Sequence, residues 1–426
     1  MKKYELYQGD VEFATPEDES VWFGYYNYSP IDVSGTRMLA HKTNFEGRMF
    51  SADDWAEVGW YNLQDGQWHG VGKTNTVNWQ QGAMLQWRPN HPDELVYNCL
   101  VDGKYGAKIV NIITGEEKCL NWPIYGLTPD GNYSITLNFE RLAWTRAYHY
   151  ETIRNESYNV SVPEDDGIFL LDLEKNTVKR ILSINEIIDN DYQQEFDGRF
   201  HWVEHIIINK TGTRFAFYHR FSAPNGFLTR LMTAGIDGSD VYVFKEWKEI
   251  GWSHLGWIDN ERFVAFGYER VKTAQIYDKV TSNIGTIGKI IRKIYRSAIY
   301  PLLPQKVHEE IAVKSCYEEY IDHQGKKKRY NHKLMFNDGH PSFSHDGRYM
   351  LSDTYALEDQ YRYLYLYDLK KDSVKEIGKF FSPFNNCGYR SDLHPRFSPD
   401  EKKIVIDSAH NGRHGMLLIK IGENDD

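Results

Sequence analysis

Cysteine is scarce in this chain of 426 residues: Cys99, Cys119, Cys316 and Cys387 are all there is. No two form a CxxC pair, which excludes a disulfide-stapled scaffold and argues against a zinc knuckle. Proline is sparse too, at 14. No apolar run approaches the ~18 residues of a membrane span, so none is expected. The opening MKKYELYQGDVEF has two lysines but no apolar stretch behind them. No secretory signal is therefore expected, and the expected setting is the cytoplasm. Positive charge is not in excess either: Lys plus Arg number 50 against 60 Asp plus Glu, a net charge of −10. A general nucleic-acid binder carries a basic face, so nucleic acid is not an expected partner. A small anionic substrate stays compatible, because a local pocket can oppose the net charge. The chain has no GxxxxGK[ST] phosphate loop, no GxSxG elbow and no cysteine in a nucleophile motif. No carboxylate pair stands out for glycoside hydrolysis.

Aromatic residues are plentiful, with 30 Tyr, 21 Phe and 12 Trp. A disordered chain does not carry them, and with so little proline they favour strands. A repeat organises them. A polar turn with Pro, Asp or Gly leads into an apolar strand at YSPIDVSGTRMLAHKT, WRPNHPDELVYNC, LTPDGNYSITLNF, INKTGTRFAFYHR, WIDNERFVAFGY, FSHDGRYMLSDT and FSPDEKKIVIDS. A second strand-like run follows each: VGWYNL, AKIVNI, GIFLLDL, TRLMTAG, AQIYDK, YLYLYDL and GMLLIKI. Seven units of about 61 residues are long for four-stranded blades, but fit with insertions. One four-stranded sheet cannot bury both faces, whereas seven arranged radially can. The expected fold is all-β: one seven-bladed β-propeller domain over residues 1–426, closed by the N-terminal YELYQGDVEF beside the C-terminal MLLIKI.

Two stretches break the rhythm. Residues 140–165 read as a polar, tyrosine-rich insertion. Residues 285–335 read as a longer, partly helical one. In it Ile290, Ile291, Ile294 and Ala298 share a helical face, opposite Lys289, Arg292, Lys293 and Arg296. A helix packed on the propeller rim is expected, with peripheral membrane contact or a partner site as the sharper reading.

Aligned on the turn, the units share one further position, four residues before the first turn residue. It holds Tyr25, Met84, Ile124, His205, His254, His340 and His394. Histidine numbers 16 in 426, so four consecutive hits point to a built feature. In a propeller this position opens the innermost strand of each blade, and equivalent positions converge on one mouth of the central channel. Four neutral imidazoles there suit a divalent metal such as Zn, Mn, Fe, Ni or Cu, or three bind while the fourth acts as a base. The alternative is four histidines that cap strand ends. Glu204, Asp338, Asp353, Asp392 and Asp407 are near enough in sequence to orient the rings. The segment NWQQG at residues 78–82 offers Gln80 and Gln81 to a ligand. Arg220, with Tyr218 and His219, ends a strand, and Arg390 approaches His394. Arginine forks bind carboxylates, so an anionic ligand is expected. Tyr25 offers a phenol and a stacking face for a sugar.

The segments HPSFSHDG and LHPRFSPDEKKIVIDS resemble TolB-like propeller repeats. The ordered set His205, His254 in SHLGW, His340 in DGHPSFS and His394 in DLHPRFSPD resembles the oligogalacturonate lyases, over residues 200–415 above all. That family cleaves a uronate-containing chain by β-elimination, with manganese held by three histidines and a glutamine and a further histidine as base. The resemblance implies His205 as base and His254 and His394 as ligands, with His340 in the matching register. The chain departs from the family before the last histidine, where Asp392 replaces a histidine and no glutamine precedes it. Asp392 is therefore a candidate ligand. Manganese is the implied metal, with Zn, Fe or Ni as alternatives. Tyr218, His219 or Arg220 would supply the leaving-group acid or the carboxylate clamp.

The leading expectation is a metal-assisted lyase acting on an anionic oligosaccharide. A non-catalytic glycan- or protein-binding propeller is the alternative from another class. A metal-dependent hydrolase or epimerase at the same mouth is a third, since C5 proton abstraction serves epimerases as well as lyases.

Overall fold

The computed structural model describes residues 3–145, 150, 153, 160–223, 226–269, 315–384 and 388–421. Within them the strands form seven antiparallel sheets arranged as a seven-bladed β-propeller. Blade one is Ser20–Trp22, Arg37–Thr43, Ala56–Asn62 and Trp68–Thr74, running from the innermost strand outward. The innermost strands of blades two to seven are Gln86–Trp87, Gly126–Leu127, His201–Ile208, Ile250–Trp257, Ser342–Phe343 and Arg396–Phe397.

The expected closure holds, with a refinement. Asp10–Ala14 pairs with Gly415–Lys420 and completes blade seven. The preceding strand, Tyr4–Leu6, instead pairs with Ser373–Phe381 and gives blade six a fifth strand. The N-terminal segment thus stitches two blades, and the ring is closed by hydrogen bonds between the two ends of the chain.

The recurring turn is a local hydrogen-bonded device. The Ser344 hydroxyl donates to Asp346 Oδ1 at 2.6 Å and accepts the Tyr349 backbone N–H at 2.9 Å. Ser398 does the same with Asp400 and Lys403, at 2.6 and 3.0 Å, and Thr128 with Asp130 and Tyr133. Such side-chain-to-backbone bonds stabilise a turn without help from the rest of the fold. Gly347 sits in one of these turns at φ +71°, where a Cβ would meet the Ile258 carbonyl oxygen at 2.6 Å. The strands that follow alternate apolar faces into the gaps between blades. Leu351 and Leu364 of blade six pack with Ile404, Ile406, Leu417 and Ile419 of blade seven in one buried cluster. Full burial stabilises each such side chain by about 1.5–3 kcal/mol.

Blade five corrects the expected boundaries. Its third and fourth strands are Ser315–Ile321 and Gly325–Arg329. Residues 315–329 therefore belong to the propeller and not to an insertion. The run AQIYDK and the amphipathic segment around Ile290 lie outside the described residues. The other insertion leaves blade three after Tyr133–Leu137 through a short helix, Phe139–Leu142, capped by Asn138. Within it Tyr150 is fully buried and donates to the Gly82 carbonyl at 3.2 Å. Among the described residues no helix is long and apolar enough to cross a membrane.

Candidate active site at the channel mouth

The histidine register becomes a place in space. His340 and His394 lie just before the two-residue innermost strands of blades six and seven. His205 and His254 lie inside longer innermost strands, each where the pairing register slips: between Glu204 and Ile207, and between Trp252 and Leu255. An extra residue at such a bulge re-aims a side chain. Met84, His205 and His394 all have left-handed backbone, with φ of 53°, 55° and 43°. Non-glycine residues held there cost of order 1–3 kcal/mol and persist only where the surroundings impose them.

The four imidazoles form an arc. Ring centres are 5.7 Å apart for His205 and His254, 4.2 Å for His254 and His340, and 4.1 Å for His340 and His394. Tyr26 occupies the inside of the arc, 5.6, 5.5 and 6.1 Å from the last three. Its hydroxyl donates to the Leu255 carbonyl at 2.9 Å.

Each ring has an oxygen behind its Nδ1. Glu204 lies 3.5 Å from His205, Asp338 3.1 Å from His254 and Asp353 2.9 Å from His340. His394 bonds the Gly24 carbonyl. Asp407 accepts the backbone N–H groups of Phe23 and Gly24, each at 3.0 Å, and so fixes that carbonyl. At His254, His340 and His394 the contact is a hydrogen bond, which sets the tautomer and leaves Nε2 as the nitrogen for a ligand. Burial pushes His340 and His394 well below the ordinary histidine pKa, so both rings are neutral at pH 7. Burial alone would raise Asp392, but the guanidiniums of Arg390 and Arg362, both 2.7 Å from its oxygens, hold it well below the usual carboxylate range. Its Oδ2 stands 3.9 Å from Nε2 of both His340 and His394.

His340, Asp392 and His394 place one donor atom each within 4.8 Å of one another. Two neutral imidazoles and an ionised carboxylate are a donor set for Mn, Fe, Zn or Ni. The residues fit a divalent metal on their own chemistry, with His254 beside them.

The pocket above this cluster has about 500 Å³ of empty space, part of it open to solvent. Of the residues singled out from sequence, Tyr25, Gln80, Gln81, His205, Arg220, His254, His340, Arg390 and His394 line it. Asp392 lies beneath, against the rings. Arg220 is ion-paired with Glu204. Gln80 donates to the Arg390 carbonyl at 2.9 Å, and Gln81 donates to the Tyr125 hydroxyl at 3.3 Å. Tyr25 shares a 3.1 Å hydrogen bond with that same hydroxyl.

Two expectations are corrected. His219 points away from the pocket, because neighbouring residues of a strand face opposite sides. It is fully buried against His201, at 2.9 Å, and Arg230, at 3.1 Å. Tyr218 is on the pocket side but behind His205, its ring 5.4 Å from the imidazole, and does not line the cavity. Tyr26, Ser253 and Tyr355 line the pocket and were not singled out from sequence. Tyr26 and Ser253 are next to register residues in the chain, which was a usable signal. Arg362, in the third strand of blade six, had none.

No family model matches this sequence, and no curated protein matches it. Solved structures do. An oligogalacturonate lyase in complex with manganese superposes with a TM-score of 0.64 at 16% identity, covering 99% of this chain and 96% of that one. The oligogalacturonate lyase of Vibrio parahaemolyticus gives 0.62 at 15% identity, covering 99% and 97%. The fold is that of the oligogalacturonate lyases. At such identities the likeness shows the fold, and function rests on the site itself.

Proposed function

We propose that this protein is a metal-assisted lyase that cleaves a uronate-containing oligosaccharide by β-elimination. The observation that carries the reading is the arc of four histidines, each backed by an oxygen, facing one pocket with Arg220 and Arg390. The likeness to oligogalacturonate lyases supports the substrate class, and the manganese in one of them supports the metal.

His340, Asp392 and His394 would hold the cation, with His254 next to them. When bound, it supplies positive charge that neutralises a substrate carboxylate and makes the neighbouring C–H more acidic. His205 is the base: its Nε2 takes the proton from the carbon alpha to the carboxylate. The electron pair left behind forms the C=C bond to the β carbon as the β C–O bond breaks. The leaving oxygen takes its proton from solvent. Glu204 orients His205 and stabilises the imidazolium that forms. Arg220 and Arg390 hold the carboxylate and the charge that develops on it.

The test is incubation with oligogalacturonate and manganese, following the ultraviolet absorbance of the unsaturated product. Product formed by the wild type and not by His205→Ala supports the reading. Tight uronate binding without any product makes the protein a binding propeller instead.

A further inference from the structure

Both arginines that face the pocket already hold a carboxylate of the protein, and the two carboxylates differ in place. Arg220 is paired with Glu204, which stands behind His205 and outside the candidate metal cluster. Arg390 is paired with Asp392, a member of that cluster. The contact is to one oxygen: Arg390 Nε lies 2.7 Å from Asp392 Oδ2. The same oxygen stands 3.9 Å from Nε2 of both His340 and His394. The guanidinium is therefore bound to the donor atom that a cation between the two rings would use. The other oxygen, Oδ1, is 2.7 Å from Nη1 of Arg362. Arg362 is fixed by its own bonds, Nε donating to the Ser382 hydroxyl at 3.1 Å and Nη1 to the Thr354 carbonyl at 3.4 Å.

Two guanidiniums on one carboxylate leave a net charge of about +1 beside the cluster. A divalent cation at His340, His394 and Asp392 Oδ2 meets that excess at close range in a buried site, where like charges repel strongly. Arg390 can relieve the repulsion and Arg362 cannot. The Arg390 side chain borders the pocket, and its guanidinium lies 5.2 Å from the Tyr355 ring, a face on which a displaced cationic group can rest. Its backbone stays in place: the carbonyl accepts from Gln80 Nε2 at 2.9 Å and has Nε2 of His414 3.3 Å away, with Glu46 behind that ring. Only the side chain has to turn, and in the pocket it needs an anion, which a uronate carboxylate supplies.

We infer that Arg390 links the two ligands of this site: a divalent cation drives its guanidinium from Asp392 toward the pocket, a carboxylate bound there keeps it away, and cation and uronate therefore bind cooperatively. This rests on the reading of Arg390 as a carboxylate clamp. The linkage is reciprocal, so the factor by which the cation tightens carboxylate binding is the factor by which the carboxylate tightens cation binding. Arg220 has no part in it, because its partner Glu204 holds no place in the cluster.

The experiment titrates manganese into the full chain, stripped of metal by chelation, with and without excess D-galacturonate, and follows the heat. D-galactose, which lacks the carboxylate, is the control. In the wild type galacturonate is expected to lower the manganese dissociation constant about tenfold, and galactose to leave it unchanged. Arg390→Gln removes the competing charge. It is expected to bind manganese alone about tenfold more tightly than the wild type, with the effect of galacturonate reduced to about twofold or less. Arg390→Lys keeps the charge and is expected to stay within about threefold of the wild type for manganese. A damaged fold, or a role for Arg390 in merely orienting Asp392, would weaken manganese binding in Arg390→Gln, the opposite sign. Manganese binding no tighter in Arg390→Gln than in the wild type overturns the proposal. So does a galacturonate effect of full size in that variant, which direct contact between cation and sugar carboxylate would give. Galacturonate that binds the wild type equally well with and without manganese overturns the linkage and leaves the lyase reading standing. No galacturonate binding in either condition overturns that reading and the linkage together.

Discussion

His340 and Asp353 are joined twice: the backbone N–H and the ring Nδ1 of His340 reach Asp353 Oδ1 at 2.8 and 2.9 Å. The other oxygen of Asp353 accepts the backbone N–H groups of Leu393 and His394, at 3.0 and 3.3 Å. One buried carboxylate thus sets both histidines of the candidate metal cluster, although they belong to different blades. Asp353→Asn keeps the shape and weakens the orientation of both rings. Metal affinity is expected to fall about 10- to 100-fold. Isothermal titration with manganese checks it, and unchanged affinity would show that Asp353 does not orient the site.

The roles along the arc separate by metal content. His340→Ala and His394→Ala are expected to lose the bound metal. His205→Ala is expected to keep it and to lose about 10²- to 10⁴-fold in product formation, the usual contribution of a positioned base. Elemental analysis beside a rate assay decides between these outcomes. A His205→Ala protein that loses its metal makes His205 a ligand.

Asp392 carries the guanidiniums of the buried Arg362 and the half-buried Arg390, so its replacement costs stability as well as metal. Asp392→Ala leaves Arg362 and Arg390 without their shared carboxylate. Removing one partner of a buried ion pair typically costs about 3–5 kcal/mol. A urea unfolding midpoint that stays at the wild-type value would mean that both arginines find other partners or water.

Acid should unfold the protein through histidines that are buried neutral. Burial lowers His41 and His201 to about 4. Nδ1 of His41 lies 3.3 Å from the Trp22 carbonyl oxygen and its Nε2 accepts the Ala83 N–H at 3.1 Å, leaving no room for a second proton. A folded pKa below the unfolded value means that the unfolded chain binds the proton first. The stability these groups contribute is full above about pH 6.5 and is lost as pH falls from there toward 4, up to about 3 kcal/mol for each. Urea midpoints at about pH 7 and pH 5 should differ more for the wild type than for His41→Gln. Equal differences would remove His41 from the acid response.

Some of this was legible in the chain because its causes are local. Ser344, Ser398 and Thr128 close their turns with bonds that span five residues or fewer, so the repeat and the blade count stand in the sequence. The histidine register was legible for the same reason, as a fixed offset from those turns. Blade five departs from the expected bounds because Ser315–Ile321 pairs with Arg262–Glu269 across a long separation in the chain that no local turn encodes. His219 follows strand alternation and faces away from Tyr218 and Arg220, toward His201 and Arg230.

The sequence by itself determined a ring of seven sheets and four histidines at equivalent places in it. Only the tertiary structure decided what surrounds them. Tyr26 reaches the site from blade one and Tyr355 and Arg362 from blade six, and the oxygens behind His254 and His394 come from Asp338 and Gly24, 84 and 370 residues away in the chain. Such pairings depend on how blades pack across the channel, which no spacing along the chain encodes. The surroundings of His414 are likewise a product of packing, since Glu46 and the Arg390 carbonyl meet its two ring nitrogens only when blades one and seven close the ring.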